Sequence, residues 1–255
     1  MPRFPIRLTA MLAIASLFSC AAPPPKARSV LAGNQARSVL ILPLNTTSVM
    51  APELEHLRAP VWSELESYLR SEGRQLRTAS LRDARRLWLG SIKQARAEAK
   101  GAKAGFDDAA RILVFELAKH AEFDTLIIPS LFIREAKVAG NVASWDGVQR
   151  DLEFEQNGSE ARHLPAYSSY VGVAPAASLH AVVLDADGSK LQDAVGGLEL
   201  LVRVRAMKLS PPGIRGPMLE FAPHTGPHAN RENVREGIAG ALAPYFPPPL
   251  AGDER

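Results

Sequence analysis

The 255-residue chain has one cysteine, Cys20. No internal disulfide can form, and a thiolate metal site is excluded. Stability must therefore come from a packed core. Long hydrophobic runs are also missing. The stretch from Leu8 to Phe18 holds 11 residues, where a membrane-spanning helix needs roughly 20. Downstream, Leu126 to Ile133 is only strand-sized and contains Pro129. Aromatic residues are scarce, at 6%. The arginines are scattered among acids, with no basic tract interleaved with aromatics. A pI near 9.1 is thus no argument for a nucleic-acid partner, and none is expected.

What is present at the start of the chain has a recognisable layout. Arg3 and Arg7 precede the apolar run, which ends in Leu17-Phe18-Ser19-Cys20. A basic start, a short apolar stretch and small residues are the pattern of a secretory signal peptide. The last four residues resemble the lipobox of bacterial lipoproteins. That resemblance implies cleavage between Ser19 and Cys20 and lipidation of Cys20, which becomes the first mature residue. Two or more acyl chains hold a protein on a bilayer stably, since each buried CH₂ contributes about 0.8 kcal/mol. Ala21, rather than Asp, follows the cysteine. By resemblance to lipoprotein sorting this favours the outer membrane, with the domain facing the periplasm. Cleavage would remove two of the 30 basic residues and none of the 27 acidic ones, leaving the mature chain near neutral.

The organisation that follows is a signal peptide over 1–19, a proline-rich tether over 20–37, one α/β domain over 38–246 and a frayed tail over 247–255. Ala-Arg-Ser-Val-Leu occurs at 27–31 and again at 36–40, too short a repeat to define a solenoid. Strands are predicted at 38–44, 74–79, 124–138, 178–184 and 190–200, from apolar and β-branched runs bounded by turn residues. Helices are predicted over 52–72, with Pro60 kinking or restarting it, from Ser80 towards Lys100, from Asp107 to His120, and from Asn230 to Leu242. Asn141 to Phe154 is predicted to pair back on the third strand as a long hairpin arm. Residues 156–176 and 210–228 are expected to be loops. Asp187-Gly188 is expected to make a two-residue hairpin turn with positive φ at both positions.

The resulting fold class is α/β (α+β), a mixed sheet with helices packed on it. Three segments carry a further likeness: Val39-Leu40-Ile41-Leu42-Pro43-Leu44, Phe123-Asp124-Thr125-Leu126-Ile127-Ile128-Pro129-Ser130, and Leu179 to Gly188. In their order the chain resembles the curli-secretion lipoprotein family and the amino-terminal domain of the Tol-Pal translocation protein. This implies an anticodon-binding-domain-like fold and a scaffold, regulator or pore subunit in the envelope. The charges of the arm 134–155, among them Arg134, Glu135, Lys137, Asp146, Arg150, Asp151 and Glu153, argue against lipid-facing barrel strands.

Candidate sites are few. Trp145-Asp146-Gly147 combines an aromatic, an acid and a turn residue. Trp145 and Asp146 read either as a partner-binding knob or as a bend whose indole packs on the core. His224 and His228 stand four apart, but Pro227 argues against the helix that a metal pair would need. No metal or cofactor is therefore expected. Asp185-x-Asp187-Gly188 opens like a calcium loop but lacks the later ligands. Ser130, His180 and Asp185 supply the residue types of a nucleophile triad without a Gly-x-Ser-x-Gly elbow. Gly196-Gly197 lacks the Lys-Ser/Thr of a phosphate loop and reads as a bulge or tight turn. The expectation is a non-enzymatic envelope lipoprotein that binds an envelope protein or a copy of itself. The alternative is a hydrolase or small-ligand binder whose pocket is built from residues distant in sequence.

Overall fold

The computed structural model describes residues 38–71, 73–99, 103–153, 171–206, 219–223, 229–243 and 245–246. The signal peptide, Cys20, the tether, His224, His228 and the tail lie outside them. In chain order the elements begin with β1 (Ser38–Ile41), a 3₁₀ turn (Pro52–Leu57), α1 (Arg58–Arg70), β2 (Gln75–Thr78), α2 (Leu81–Glu98) and α3 (Phe106–Ala118). They continue with β3 (Thr125–Ala139), β4 (Val142–Trp145), β5 (Val148–Asp151), β6 (Val171–Asp185), β7 (Lys190–Leu200), β8 (Val202–Ala206), β9 (Leu219–Pro223) and α4 (Arg231–Leu242).

Local chemistry accounts for most boundaries. Pro60 falls in the first turn of α1, where its missing N–H costs nothing, so it restarts the helix rather than kinking it. Ser80 caps α2. Its hydroxyl oxygen accepts from the N–H of Asp83 at 3.1 Å and its O–H donates to the Asp83 carboxylate at 2.7 Å. The Asp108 carboxylate accepts from the N–H of Gly105 at 3.0 Å, fixing the start of α3. Asn230 caps α4 by accepting from the N–H groups of Glu232 and Asn233.

The fold is α+β, a seven-stranded mixed sheet with helices on both faces. β1 lies parallel to both β2 and β3. β3 then pairs antiparallel with β6 over fifteen residues, Thr125↔Asp185 to Ala139↔Val171, and β6 pairs antiparallel with β7. Side chains alternate across the sheet. Ile127, Leu131, Leu179, Ala181 and Val183 pack with α1 and α4 on one face. Leu126, Ile128, Val182 and Leu184 pack with α2 and α3 on the other. A third core lies further along the ribbon, where Ala136, Val138, Ala174 and Ala176 meet Trp145, Val148 and Leu200.

Three expectations about the strands need correction. The long hairpin arm over 141–154 is instead short. β4 pairs with β3 at three positions, Lys137–Ala139, and the chain turns at once into β5. The partner of β3 along its length is β6, whose residues 171–176 continue the ladder without a break, from Arg134↔Ala176 to Ala139↔Val171. Residues 171–176 are therefore strand, not loop. Leu219–Pro223 is also strand, pairing with β8, inside a stretch expected to be loop.

The two Asp-Gly dipeptides take different roles. Asp146 and Gly147 both have positive φ, +38° and +83°, and close the two-residue β4–β5 hairpin between the pair Trp145↔Val148. At the β6–β7 turn, only Gly188 has positive φ, +80°. There the Asp185 carboxylate accepts from the N–H groups of Asp187 and Ser189 at 3.0 and 2.7 Å. That bonding needs a longer loop than the two-residue turn, and it commits the carboxylate of Asp185, the last residue of β6, to the loop rather than to His180.

Candidate functional site

Helices α2 and α3 cover only part of their face of the sheet. Past Ile128 and Val182 the same strand faces continue as Ser130 and Phe132 on β3 and His180 on β6, all partly exposed. Ser130 and His180 are direct cross-strand partners. With Thr47, Ser48, Val49, Phe106 and Ile133 they line a hollow of about 450 Å³. Its apolar rim is open to solvent: Val49 is 95% exposed, and Phe106 and Ile133 are each 40% exposed.

Charge is organised at the edge of this hollow. His180 Nε2 lies 2.6 Å from Asp193 Oδ1. Lys190 Nζ bonds Asp193 Oδ2 at 3.1 Å and both carboxylate oxygens of Asp107 at 3.1 and 3.2 Å. The hydrogen bond from His180, then that from Lys190, hold the Asp193 carboxyl below its usual range. The bonds to Asp107 and Asp193 hold the Lys190 ammonium above its own. The network ties the N-terminal turn of α3 to β7. Phe132 meets the His180 ring edge-on at 6.4 Å, and the Arg134 guanidinium lies 4.8 Å over Phe132.

Ser130 and His180 thus share a cleft with an acid, Asp193, that sequence spacing did not single out. Asp193 lies two residues from Val195, the direct partner of His180 on β7. This register is invisible without the hairpin. Among the described residues, however, Ser130 Oγ makes no hydrogen bond to His180. The imidazole that would activate it is bonded to a carboxylate shared with Lys190.

The edge of β3 beside this hollow is interrupted. β1 pairs with β3 only at Thr125–Ile127, and β4 only at Lys137–Ala139. Asn45 extends the first contact by bonding Leu131 through its side chain. Among the described residues, Phe132 to Ala136 therefore pair with β6 on one side and with no strand on the other. This gap spans about 16 Å at the usual rise of roughly 3.3 Å per residue.

Trp145 and Asp146 are placed inside the fold rather than on a knob. The indole is 7% exposed, and its Nε1–H donates to the carbonyl of Ala177 at 3.2 Å. The Asp146 carboxylate accepts from the Ser178 hydroxyl at 2.7 Å and lies 3.4 Å from Arg134 Nε. Its own carbonyl accepts from the N–H of Gly197 at 3.2 Å. The β4–β5 turn is a clasp folded over β6 and β7. An amphipathic indole beside a glycine that leaves room for it is spent on packing.

A second hollow, of about 350 Å³, is lined by Gln149, Arg150, Glu153, Glu199, Val202 and Asn233. Burial pushes the Glu199 carboxyl up to about 7, against a hydrogen bond from the Asn230 N–H; nearby Glu153 adds to the rise and Arg203 opposes it. No group of three or more metal-ligating side chains occurs among the described residues. No described helix is long and apolar enough to cross a membrane. Compared with family models, with curated proteins and with solved structures, the chain matches nothing.

Proposed function

We propose that this chain is a lipid-anchored envelope protein, held by acyl chains on Cys20 at the outer membrane and facing the periplasm. Its domain works by binding an envelope protein or a copy of itself rather than by catalysis. The observation that carries this reading is the edge of β3 at Phe132–Ala136, which no strand among the described residues pairs on the side away from β6, set beside the exposed side chains of Val49, Phe106 and Ile133. An open edge next to apolar pockets suits an extended segment of a partner. Main-chain hydrogen bonds would supply affinity and the pockets specificity. The order of strands 38–44, 123–130 and 179–188 supports a finer likeness to the anticodon-binding-like domains of the curli-secretion and Tol-Pal proteins. That likeness implies a scaffold, regulator or pore subunit of the envelope.

Two measurements test this. A photo-crosslinking residue at Ile133, in the full chain within its native envelope, should give a discrete protein adduct. The same residue at Lys93, on α2, should not give that adduct; identical adducts at both positions, or none at Ile133, would sink the site. Cys20→Ser should block processing or release the chain from the membrane fraction. Unchanged processing and membrane association would remove the anchor from the reading.

One observation favours a second reading, hydrolysis: the Ser130–His180 cross-strand pair with Asp193 at 2.6 Å from the imidazole. On that reading a phosphonate-type serine probe should label Ser130, and His180→Ala should abolish labelling. Absence of labelling in the intact protein would dispose of it.

A further inference from the structure

Helix α2 carries five basic residues, Arg82, Arg85, Arg86, Lys93 and Arg96, against two acids, Asp83 and Glu98. In the linear sequence these charges are scattered. On the helix they are not. Positions 82, 86, 89, 93 and 96 advance by four and three residues in turn and so fall on one line along the surface. The buried residues Ala84, Trp88, Ser91 and Ala95 form a second line offset by two residues. That offset is about 200° at roughly 3.6 residues per turn. The basic line is therefore the outward face of α2, diametrically opposite the one packed on the sheet.

Two features distinguish this face from an ordinary solvated one. The acids on the helix are engaged: Asp83 pairs with Arg86 at 2.9 Å and with Ser80, and Glu98 accepts from Gln94 at 2.9 Å. Arg82, Arg85, Lys93 and Arg96 have no ion-pair partner among the described residues. In the middle of the line stands Leu89, 65% exposed. A net charge of only +3 for the whole chain means that one helix holds a positive excess as large as that of the entire protein.

We infer that the outward face of α2 docks on an anionic phospholipid bilayer, with Arg82, Arg86, Lys93 and Arg96 among the headgroups and Leu89 inserted between them. The stripe runs about 21 Å at roughly 1.5 Å per residue, so the helix lies flat on the surface. Arrayed cations around an apolar side chain match an interface that offers phosphate charge outside and hydrocarbon just beneath. An acidic protein or a nucleic-acid duplex would use the charges but leave Leu89 without a function. The inference rests on the lipid-anchored reading, because tethering supplies the local concentration at which a modest interfacial contact becomes persistent.

The test uses the full chain carrying Cys20→Ser, so that no acyl group contributes. Binding is compared on vesicles of phosphatidylcholine alone and on vesicles containing about one third phosphatidylglycerol. Because Arg3 and Arg7 in residues 1–19 also favour anionic lipid, the excess is read over that of a synthetic peptide of residues 1–37 measured alongside. Each cation near such a surface contributes about fivefold to partitioning. The excess should therefore be at least tenfold, and should fall on adding salt on the order of 0.5 M. Combining Arg82→Gln, Arg86→Gln, Lys93→Gln and Arg96→Gln should abolish it. Leu89→Ser should cut it several-fold. Both variants should keep the thermal midpoint, since these side chains point to solvent. An excess that survives the quadruple substitution overturns the proposal. So does tighter binding of the same chain to a DNA duplex or to polyglutamate than to anionic vesicles. If Cys20→Ser leaves cellular fractionation unchanged while the excess is present, the anchor fails and the docking face stands. A lipidated chain with no excess shows the reverse.

Discussion

Asn45 acts as a strand residue through its side chain. Its Nδ2–H donates to the carbonyl of Leu131 at 2.9 Å, and its Oδ1 accepts from the N–H of Leu131 at 3.0 Å. The backbone N–H of Asn45 still donates to the carbonyl of Pro129 at 3.1 Å, and the chain turns away from there, with φ at +56°. The amide thus prolongs the β1–β3 ladder by one rung while the main chain leaves for the 3₁₀ turn. Asparagine is suited to this on both counts, since it tolerates left-handed φ and carries a donor and an acceptor in peptide-like geometry.

Asn45→Ala should cost about 2–4 kcal/mol, because it strands a buried N–H and C=O on Leu131. Asn45→Gly relaxes the backbone but loses the same bonds, so it should recover only a fraction of a kcal/mol. Urea unfolding of the two variants beside the parent measures both. Equal stability of parent and Asn45→Ala would contradict the role assigned to this side chain.

The neighbouring glycines Gly196 and Gly197 should respond differently to the same change. A Cβ on Gly196 would strike the carbonyl oxygen of Gly237 in α4, a backbone atom that cannot swing aside. One on Gly197 would meet Val148 and lie 2.8 Å from Trp145 Nε1. Gly197→Ala should therefore cost about 1–3 kcal/mol, the usual range for overpacking, and Gly196→Ala more. Loss of the Trp145 fluorescence environment in Gly197→Ala, with α4 intact by hydrogen exchange, would be the local signature. The reverse order of stability would show that α4 moves more easily than the clasp.

Glu199 gives stability a pH slope of unusual sign. Its carboxyl is raised from 4.5 to about 7 in the folded protein, so between those values the native state binds more protons than the unfolded one. Stability from this group is complete below about pH 4.5 and is lost as pH rises through 7. The loss is up to about 3 kcal/mol, at 1.36 kcal/mol per pKa unit. Glu199→Gln, which mimics the protonated form, should flatten the profile between pH 5 and 8. Chemical denaturation of both proteins across that range checks this; parallel profiles would mean that the carboxylate ionises without penalty.

The Asp193 carboxyl should titrate below the ordinary aspartate value of 3.8, chiefly through its bond with His180. Its contribution to stability is present above pH 4 and fades as acid protonates it. Because Asp193 is 45% exposed, the effect on unfolding should be slight. The sensitive readout is its carboxyl carbon chemical shift. His180→Ala should raise the midpoint and Lys190→Ala should raise it less. A larger shift from Lys190→Ala would reverse the assigned order.

Much of the secondary structure was legible because each signal was local. Ser80 and Asn230 announced their helices by capping chemistry, and Pro60 marked a break in the helical segment, which the structure decides as a restart. Lys190–Leu200 was bounded correctly by a turn and by β-branched and apolar residues. The missed strands were those without a local signal. Val171–Ala176 is small and partly exposed, and is strand only because β3 offers a fifteen-residue ladder. Leu219–Pro223 is a short segment that needs β8 to define it. Asp-Gly was recognised as a turn at 187–188. The dipeptide that uses both positive φ values is at 146–147, because Asp185 captures the other loop with its carboxylate.

Sequence alone determined the mixed sheet with helices packed on it, the caps, and the layout around Cys20. These follow from side-chain period, hydrogen-bonding capacity and composition. The stripe of α2 was also present in the spacing 82, 86, 89, 93 and 96, but only the packing of Ala84, Trp88, Ser91 and Ala95 decided that it faces outward. Tertiary structure alone decided that Trp145 is buried. It also placed Asp193 beside His180 and, among the described residues, left one edge of β3 without a strand partner from Phe132 to Ala136. Each of these depends on which strands meet and in what register, and register is settled by long-range packing that no window of sequence contains.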